Sequence, residues 1–427
     1  MNAARLIACH ECDLLQRETA LASGGTARCR RCGATLYRNP PASVDRALAL
    51  TLAAMVLFVV ANTFPIVGLS VNGTLVETTL FGAARVLYDD GVWPLAGLVF
   101  ATTLLMPLLD MAAVMYVLSP LRTGHIPRRP DIVLRVLRRV TPWGMIEVLI
   151  LGMLVALVKL AAIATVVPGI AMWAFGAVML LLAAAAVAFD PHDIWERIDT
   201  ARSVASASAS ASAPAGQVSA SAPTAARSGL FVCHDCGLLS KPASHAHEGR
   251  CPRCGSPLHF RKPGSIARTW AFVIAAVILY IPANMLPVMD TSSLFGAQTD
   301  TILSGVVYLW TSGSWPLAVI VFIASIAVPM LKILALIFLV LTAQLRWRWL
   351  PQRRTRIYRL VELVGRWSML DIYVITILVA LVQFNALATI KAGAGAIAFG
   401  AVVVLTMFAA MSFDPRLIWD AMEPDHE

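Results

Sequence analysis

The sequence predicts an all-α polytopic membrane protein with two parallel repeats of four transmembrane helices, each preceded by a small four-cysteine domain of the zinc-ribbon or rubredoxin type. Three observations predict this class. The chain is 58% hydrophobic and 14% charged, whereas soluble proteins carry about a quarter charged residues. Eight apolar segments are long enough to cross a bilayer, which takes about 20 residues. The two cysteine clusters and the apolar segments behind them occur twice along the chain, which indicates an internal repeat.

Each half begins with two CxxC pairs, a spacing that suits a metal ion held by four thiolates in a tetrahedral site. The predicted ligands are Cys9, Cys12, Cys29 and Cys32 in one set and Cys233, Cys236, Cys251 and Cys254 in the other. We expect structural zinc, while the ligands alone leave a rubredoxin-like iron open. A redox role is the main alternative. Disulfides and nucleic-acid binding are not expected, because the predicted topology places the thiols and their basic flanks in the reducing cytosol.

Four apolar segments follow each cluster. We predict spans at 45–68, 94–119, 143–166 and 170–189 in the first half and at 266–289, 315–342, 367–389 and 394–413 in the second. The last two spans of each half are predicted to form a helical hairpin. Short motifs recur in both halves at an offset of 222 to 224 residues, among them Ala-Asn-x-x-Pro, Trp-Pro-Leu-Ala and Phe-Asp-Pro with Ile-Trp three residues on.

The basic residues predict the orientation. Arginines crowd the connections at 120–142 and 343–366, while the loops at 69–93 and 290–314 hold a single basic residue, Arg85. The positive-inside rule therefore places both termini, both cysteine clusters and the linker in the cytoplasm. The predicted domains are a zinc-ribbon-like domain at 1–40, a membrane domain at 41–198, a Ser/Ala-rich flexible linker at 199–229, a second zinc-ribbon-like domain at 230–262 and a second membrane domain at 263–427.

Ionisable residues within the predicted spans are energetically costly and mark candidate pathways. Asp110 and Lys332 occupy equivalent positions of the two repeats with opposite charge, which suggests a polar relay or cavity. The further candidates are Lys159, its counterpart Gln383, and Glu147 and Asp371 near the cytoplasmic ends of their spans. Ordinary head-group contacts would also explain Glu147 and Asp371, and Lys159 would also fit a side chain that reaches out to the interface.

Prolines predict breaks in four helices. Pro107 and Pro329 lie three residues before Asp110 and Lys332, and two Asn-x-x-Pro elements, Asn62 to Pro65 and Asn284 to Pro287, lie near the outer ends of the first and fifth spans. Trp93, Trp195, Trp315 and Trp419 are interpreted as interface anchors. We find no nucleophile elbow, phosphate-binding loop, HExxH or dinucleotide motif, so enzymatic activity is not expected.

The twin CxxC clusters, Asn-x-x-Pro, Trp-Pro-Leu and the Asp-Pro and Ile-Trp close of each bundle resemble the paraquat-inducible protein A family, including its LetA branch. The resemblance implies a bacterial inner-membrane protein that works with a periplasmic MCE-domain protein forming a tunnel. It further implies movement of lipid, most simply phospholipid, for outer-membrane homeostasis. A membrane-bound redox or metal sensor, a passive scaffold and a proton-coupled exporter of small molecules are the alternatives.

Overall fold

The computed structural model describes residues 6–39, 43–71, 74–161, 165–205, 224–241, 249–293, 296–313, 315–381 and 388–422. Within these residues, eight helical segments are long and apolar enough to cross a membrane. They span Val44–Thr63, Trp93–Arg122, Pro130–Val158, Ile170–Ala188, Ser265–Met285, Ala318–Gln344, Pro351–Leu381 and Ala394–Ser412. The predicted eight spans in two repeats are confirmed. The third and seventh segments begin earlier than predicted, because the arginine-rich connections are themselves helical.

Each cysteine cluster folds as two short antiparallel hairpins, which we call the first knuckle (residues 6–39) and the second knuckle (residues 230–262). In the first, β1 (Leu6–Ala8) pairs with β2 (Leu15–Arg17), and β3 (Thr26–Arg28) pairs with β4 (Thr35–Arg38). In the second, β8 (Phe231–Val232) pairs with β9 (Leu239–Ser240), and β10 (Gly249–Arg250) pairs with β11 (Pro257–Leu258). Every hairpin turn carries one CxxC pair, so the turns bring four thiols together.

The first repeat follows the first knuckle. Its elements are α1 (Ser43–Thr63), β5 (Val67–Val71), β6 (Thr74–Thr78), α2 (Leu80–Asp89), α3 (Trp93–Phe100), a π-helical turn (Ala101–Leu105), α4 (Met106–Arg122), α5 (Pro130–Val140), a 3-10 turn (Thr141–Trp143), α6 (Ile146–Ala161), β7 (Thr165–Pro168), α7 (Ile170–Ala188) and α8 (Pro191–Ala205).

The second repeat has the same order of helices and strands, without the 3-10 turn of the first among the described residues. It comprises α9 (Ser265–Met285), β12 (Met289–Ser293), β13 (Gly296–Asp300), α10 (Ile302–Thr311), α11 (Trp315–Phe322), a π-helical turn (Ile323–Ala327), α12 (Val328–Gln344), α13 (Pro351–Trp367), α14 (Leu370–Leu381), β14 (Ala388–Ala392), α15 (Ala394–Ser412) and the short α16 (Leu417–Asp420).

The predicted linker at 199–229 is structured at both ends. Helix α8 runs across the predicted boundary to Ala205, and a turn after Thr224 is bonded to the first knuckle, with Ala225 N donating to Asp13 O at 2.9 Å. Residues 206–223, the rest of the predicted tether, lie outside the described residues. The predicted limits at 198 and 230 therefore fall within a helix and just after a turn, and the domain division stays a prediction.

Two small sheets lie at the end of the bundle away from the knuckles, and the sequence analysis missed both. Their strand orders are β6-β5-β7 and β13-β12-β14, and all pairings are antiparallel. Strands β7 and β14 lie between the two helices that we predicted as a simple hairpin in each half. The connection therefore joins a sheet rather than turning directly back.

The repeats meet where α6 packs against α14. Gly152 permits this approach, because a Cβ there would lie 2.9 Å from the Cβ of Tyr373 and 3.2 Å from the carbonyl oxygen of Leu370. The Tyr373 hydroxyl donates to Thr102 Oγ1, in the π-helical turn of the first repeat, at 2.9 Å. Apart from Asp371, every residue of α14 is buried. Helix α14 is therefore the centre of the apolar core that joins the two repeats.

In each repeat a glycine packs directly against the Asn-x-x-Pro element, next to the sheet and at the start of the last long helix. We call this contact the clasp. A Cβ on Gly169 would lie 2.1 Å from the carbonyl oxygen of Pro65, and one on Gly393 would lie 2.3 Å from that of Pro287. The two glycine amides donate to the carbonyls of Ile66 and Val288, both at 2.9 Å. Only glycine fits at these positions, because its backbone passes directly over a carbonyl group.

We therefore expect Gly393→Ala to lower the thermal unfolding temperature of the protein in detergent. Crowding of the new methyl group against Pro287 should cost about 1–3 kcal/mol, as overpacking does elsewhere. Gly176→Ala is the matched control, because a Cβ at Gly176 in α7 would meet open space. Equal unfolding temperatures for the two variants would contradict the clasp.

Candidate functional site: metal centres and intramembrane polar groups

The eight cysteines form two compact four-thiol sets. In the first knuckle the Sγ atoms of Cys9 and Cys32 are 3.5 Å apart, as are those of Cys12 and Cys29. In the second knuckle, the Cys233–Cys254 and Cys236–Cys251 distances are also 3.5 Å. All Sγ atoms of a set lie within 4.8 Å of one another.

These distances separate the metal interpretation from the disulfide interpretation. A disulfide needs sulfurs about 2.05 Å apart. Tetrahedral bonds of about 2.3 Å from zinc to sulfur place neighbouring sulfurs about 3.8 Å apart, close to the observed spacing. The donor sets therefore fit a metal ion. Because each set offers four thiolates and no open position, the chemistry that an ion supplies there is to hold the hairpins together.

Polar groups also support the sulfurs. Gln16 Nε2 donates to Cys29 Sγ at 3.3 Å. A donor of this kind stabilises a thiolate. In the second knuckle, Ser256 Oγ accepts from Cys254 Sγ at 3.3 Å and donates to Asp235 Oδ2 at 2.5 Å, which orients the ligand. Polar groups around the ligands commonly fix the geometry of a metal site.

Each knuckle packs on the membrane domain of the other repeat. The first knuckle's Cys9, Cys12 and Cys29 share a buried apolar cluster with Leu339 of α12 and Tyr358 of α13. The second knuckle's cysteines share one with residues of α4, α5 and α8, among them Val117, Leu134 and Trp195. The two halves are therefore crossed at the knuckle end of the bundle.

An arginine of the opposite repeat clamps the first knuckle. Arg359 of α13 pairs with Glu11, the acidic residue inside the first CxxC, with Nε donating to Oε1 at 2.8 Å. Its Nη2 also donates to the Cys32 carbonyl at 2.9 Å. Because the guanidinium binds a carboxylate and a backbone carbonyl together, it fixes both turns of the knuckle at once.

The same clamp recurs in the other half. Arg135 of α5 lies 3.5 Å from the Asp235 carboxylate and donates to the Cys254 carbonyl at 2.6 Å. From the sequence alone, these arginines indicate only which side of the membrane their connections face. A signal for the clamp was present, because an acidic residue inside the first CxxC and an arginine of the basic connection both recur at an offset of 224 residues.

Arginine–tryptophan contacts reinforce the crossing. The guanidinium of Arg31 lies 4.4 Å from the ring centroid of Trp419, and that of Arg253 lies 5.7 Å from the ring centroid of Trp195. Trp195 and Trp419 are only 3% and 4% exposed, so the interpretation of these two as interface anchors was wrong. Trp93 and Trp315 are 66% and 61% exposed and keep that interpretation as a prediction.

The Asp-Pro motifs anchor each knuckle to its own repeat as well. Asp190 Oδ2 accepts from Arg38 N at 2.6 Å, and Asp414 Oδ2 accepts from Lys262 N at 3.0 Å. Burial by itself raises the pKa of Asp414, but the hydrogen bonds and charge of Arg416 outweigh burial and lower that pKa below its usual range. The aspartate of its own repeat thus holds the end of each knuckle, and the arginine of the opposite repeat holds the turns of that knuckle.

Asp110 and Lys332 do not pair with each other in the described structure. Thr141 Oγ1 donates to Asp110 Oδ1 at 2.9 Å. The Nζ of Lys332 is buried, and a Cβ on Gly365 would lie 3.3 Å from it. Thr141 and Gly365 are equivalent positions of the two repeats, so each charge points at the same helix junction in its own half. Glycine gives the longer lysine the space that threonine occupies beside the aspartate.

The other polar candidates are dispersed. Glu147 is exposed and Asp371 is half-buried, each in the first turn of its helix, α6 and α14. Lys159 lies in α6, but its side chain is outside what the structure describes, and Gln383 lies outside the described residues. The six predicted polar residues are therefore not shown to form one cluster.

The prolines fall at two kinds of break. A π-helical turn, Ala101–Leu105 or Ile323–Ala327, directly precedes the helix that carries Pro107 or Pro329 near its start. Pro65 and Pro287 lie just beyond the ends of α1 and α9. The side-chain amides of Asn62 and Asn284 donate to the carbonyls of Phe58 and Tyr280 at 2.7 and 2.8 Å. These asparagines therefore bond within the last turns of their helices.

We expect Arg359→Ala to destabilise the protein, because it removes a charge-assisted pair and leaves the Glu11 carboxylate and the Cys32 carbonyl without this donor. The loss should be about 1–3 kcal/mol, measured as a lower unfolding temperature in detergent. Arg356→Ala, an exposed arginine of the same helix, is the control. A double-mutant cycle with Glu11→Gln should show coupling, and strictly additive effects would refute the clamp.

Comparison with known proteins shows similarity over both repeats. The model of the family described as "Paraquat-inducible protein A" matches residues 44–199 and 266–423. The chain is 35% identical to "Intermembrane transport protein PqiA" of Escherichia coli (strain K12), covering 100% of this chain and 98% of the relative. It is 30% identical to the "Lipophilic envelope-spanning tunnel protein A" of that organism, covering 97% and 91%, and 28% identical to a "Probable intermembrane transport protein" of Haemophilus influenzae, covering 97% and 96%. No solved structure matches. With both repeats matched and a relative aligned end to end, this multi-pass membrane protein belongs to the paraquat-inducible protein A family.

Proposed function

We propose that the protein is the inner-membrane component of an intermembrane lipid transport system. In this role it passes phospholipid between the inner membrane and a tunnel formed by a periplasmic MCE-domain protein, which maintains the outer membrane. The observation that carries the proposal is the end-to-end similarity to a relative named for intermembrane transport, which includes both knuckles and all eight helices. Transport requires no catalytic step from this chain, in keeping with the names of those relatives.

The knuckle end of the bundle is proposed to face the cytoplasm. The arginine-rich helices α5 and α13 lie at this end, which the positive-inside rule favours as the cytoplasmic side. A reducing compartment also keeps the eight thiols available as ligands. Zinc is the proposed ion in both four-cysteine sites, because zinc ribbons commonly use this ligand spacing. The two sheets would then face the periplasm and the tunnel.

The intramembrane charges are proposed to serve movement of the lipid or a coupled proton. Lys332 is 3% exposed and its Nζ has no hydrogen-bond partner in the described structure. A buried lysine side chain without a partner is costly in an apolar core, so its presence there supports a role in which a counter-charge arrives during the cycle. Asp110, on the equivalent helix of the first repeat, is the proposed second member of this polar route.

Lys332→Met should abolish lipid transfer while leaving protein abundance in the membrane unchanged, because methionine fills the same space without the charge. Transfer of fluorescent phospholipid from proteoliposomes to the purified periplasmic partner measures the effect. Leu334→Met, an exposed apolar position of the same helix, is the matched control. Asp110→Asn should show a similar loss.

The rival functions make different predictions for the same samples. If both charge variants transfer lipid like the wild type, the chain is a scaffold rather than a carrier. Metal that exchanges under mild oxidant would favour the sensor, and drug sensitivity of cells with an undamaged envelope would favour the exporter.

Orientation is tested by limited proteolysis. The Ser/Ala-rich stretch 206–223 should be cleaved in inverted inner-membrane vesicles and spared in intact spheroplasts, because it lies between two cytoplasmic domains. A periplasmic protein and a cytoplasmic protein serve as controls for vesicle sidedness. Cleavage in spheroplasts alone would reverse the topology and place the thiols on the oxidising side.

A further inference from the structure

A third group of metal-ligating side chains lies between the first knuckle and α8, apart from the eight cysteines. Glu18 follows β2, and His192 and Glu196 stand on α8. One ligand atom from each of the three lies within 4.8 Å of the other two. The Glu18 carboxylate and His192 Nε2 are 3.5 Å apart. Bonds of about 2.0–2.1 Å to one ion at a tetrahedral angle place two ligand atoms about 3.4 Å apart, close to this distance.

The backbone supports this grouping. His192 and Glu196 are four residues apart on one helix, so their side chains project from the same face. Asp190 Oδ1 accepts from His192 N at 2.9 Å, and the other oxygen of the same carboxylate accepts from Arg38 N. One aspartate therefore fixes the start of α8 against the end of the first knuckle.

Tyr37 holds the other side of the group. Its ring stacks on the His192 imidazole with centroids 5.2 Å apart. Its hydroxyl donates to the Thr19 carbonyl at 2.7 Å and accepts from Thr19 N at 2.9 Å, so the chain next to Glu18 is fixed as well. A single buried tyrosine thus contacts the imidazole and fixes the backbone beside Glu18 before any ion binds, which lowers the cost of forming a site.

The group is specific to the first repeat. Positions 192 and 196 correspond to Arg416 and Asp420 in the second repeat. There the arginine supplies a permanent positive charge that pairs with Asp414 at 2.9 Å, and Asp420 pairs with Arg261 at 2.6 Å. The first repeat instead has an imidazole and a carboxylate at these two positions, and each can supply one ligand atom to a metal ion.

We propose that Glu18, His192 and Glu196 form a third metal site that binds a divalent transition-metal ion, zinc being the best match to one imidazole and two carboxylates. Water completes the coordination. Glu196 also lines an open surface groove, together with Gly124, Asp193, Arg197, Thr200 and Ala201. The bound ion joins the first knuckle to α8 of its own repeat. This metal-dependent contact is present in the first repeat and has no equivalent at Arg416 and Asp420 of the second.

Metal counting on the purified full-length protein tests the site. After equilibration with buffered zinc and removal of unbound ions, the wild type should hold three metal equivalents per chain, summing zinc and iron. His192→Ala and Glu196→Gln should each hold two. His125→Ala, an exposed loop histidine, should keep three and is the matched control. If His192→Ala fails to fold, Glu196→Gln, which preserves side-chain size, decides the outcome.

Cobalt provides an independent readout when it is added to protein whose proposed site has first been emptied with a mild chelator while the four-cysteine sites keep their metal. Binding at the proposed site should produce weak visible bands without the intense thiolate-to-cobalt absorption of a four-cysteine site, and His192→Ala should remove them. Two equivalents in the wild type, or an unchanged cobalt spectrum in His192→Ala, would overturn the proposal and leave Glu18 and His192 as a simple ion pair.

Discussion

The pairing of each knuckle carboxylate with an arginine of the opposite repeat is the interaction on which the arrangement of the halves depends. Glu11 with Arg359, and Asp235 with Arg135, join residues 348 and 100 positions apart in sequence. The knuckles have strands of only two to four residues, too few to form a stable core by themselves. An ion bound to the thiols would supply the missing folding energy, since metal binding and folding are coupled in such domains. The clamp therefore links metal binding to the contact between repeats.

The clamps and the membrane charges share the same helices. Arg359 and Gly365 both lie on α13, and Lys332 Nζ rests against Gly365. In the first repeat, α5 carries Arg135 and leads into the turn whose Thr141 holds Asp110. Each arginine that holds a knuckle is therefore on the helix that leads to the junction beside Asp110 or Lys332. Helix α13 in turn leads into α14, the buried centre between the repeats, so these features form one connected structure.

The sequence analysis succeeded where a short local pattern specifies the structure. Apolar length predicted the eight spans, and CxxC spacing predicted the two four-thiol sets. It missed the sheets, because β5 and β7 are five and four residues long and adjoin apolar helices, so they show no separate alternation. It also interpreted Trp195 and Trp419 as membrane anchors, because position at the end of a span cannot distinguish lipid from a docked domain. Asp110 and Lys332 are not paired in the described structure, because equivalent positions in a repeat need not be neighbours in space, and their shared role stays a prediction.

By itself, the sequence determined that the chain is a duplicated membrane protein with two thiolate clusters, because hydropathy, repeat offset and ligand spacing are properties of neighbouring residues. Only the tertiary structure decided which knuckle packs on which bundle. In a duplicated chain each knuckle finds equivalent partner residues in both halves, so local patterns fit either choice. Crossed packing follows from long-range contacts that bury Tyr358 against the first knuckle and Trp195 against the second. Local patterns also left open what brings Glu18 to His192, because that approach depends on how the first knuckle seats on α8.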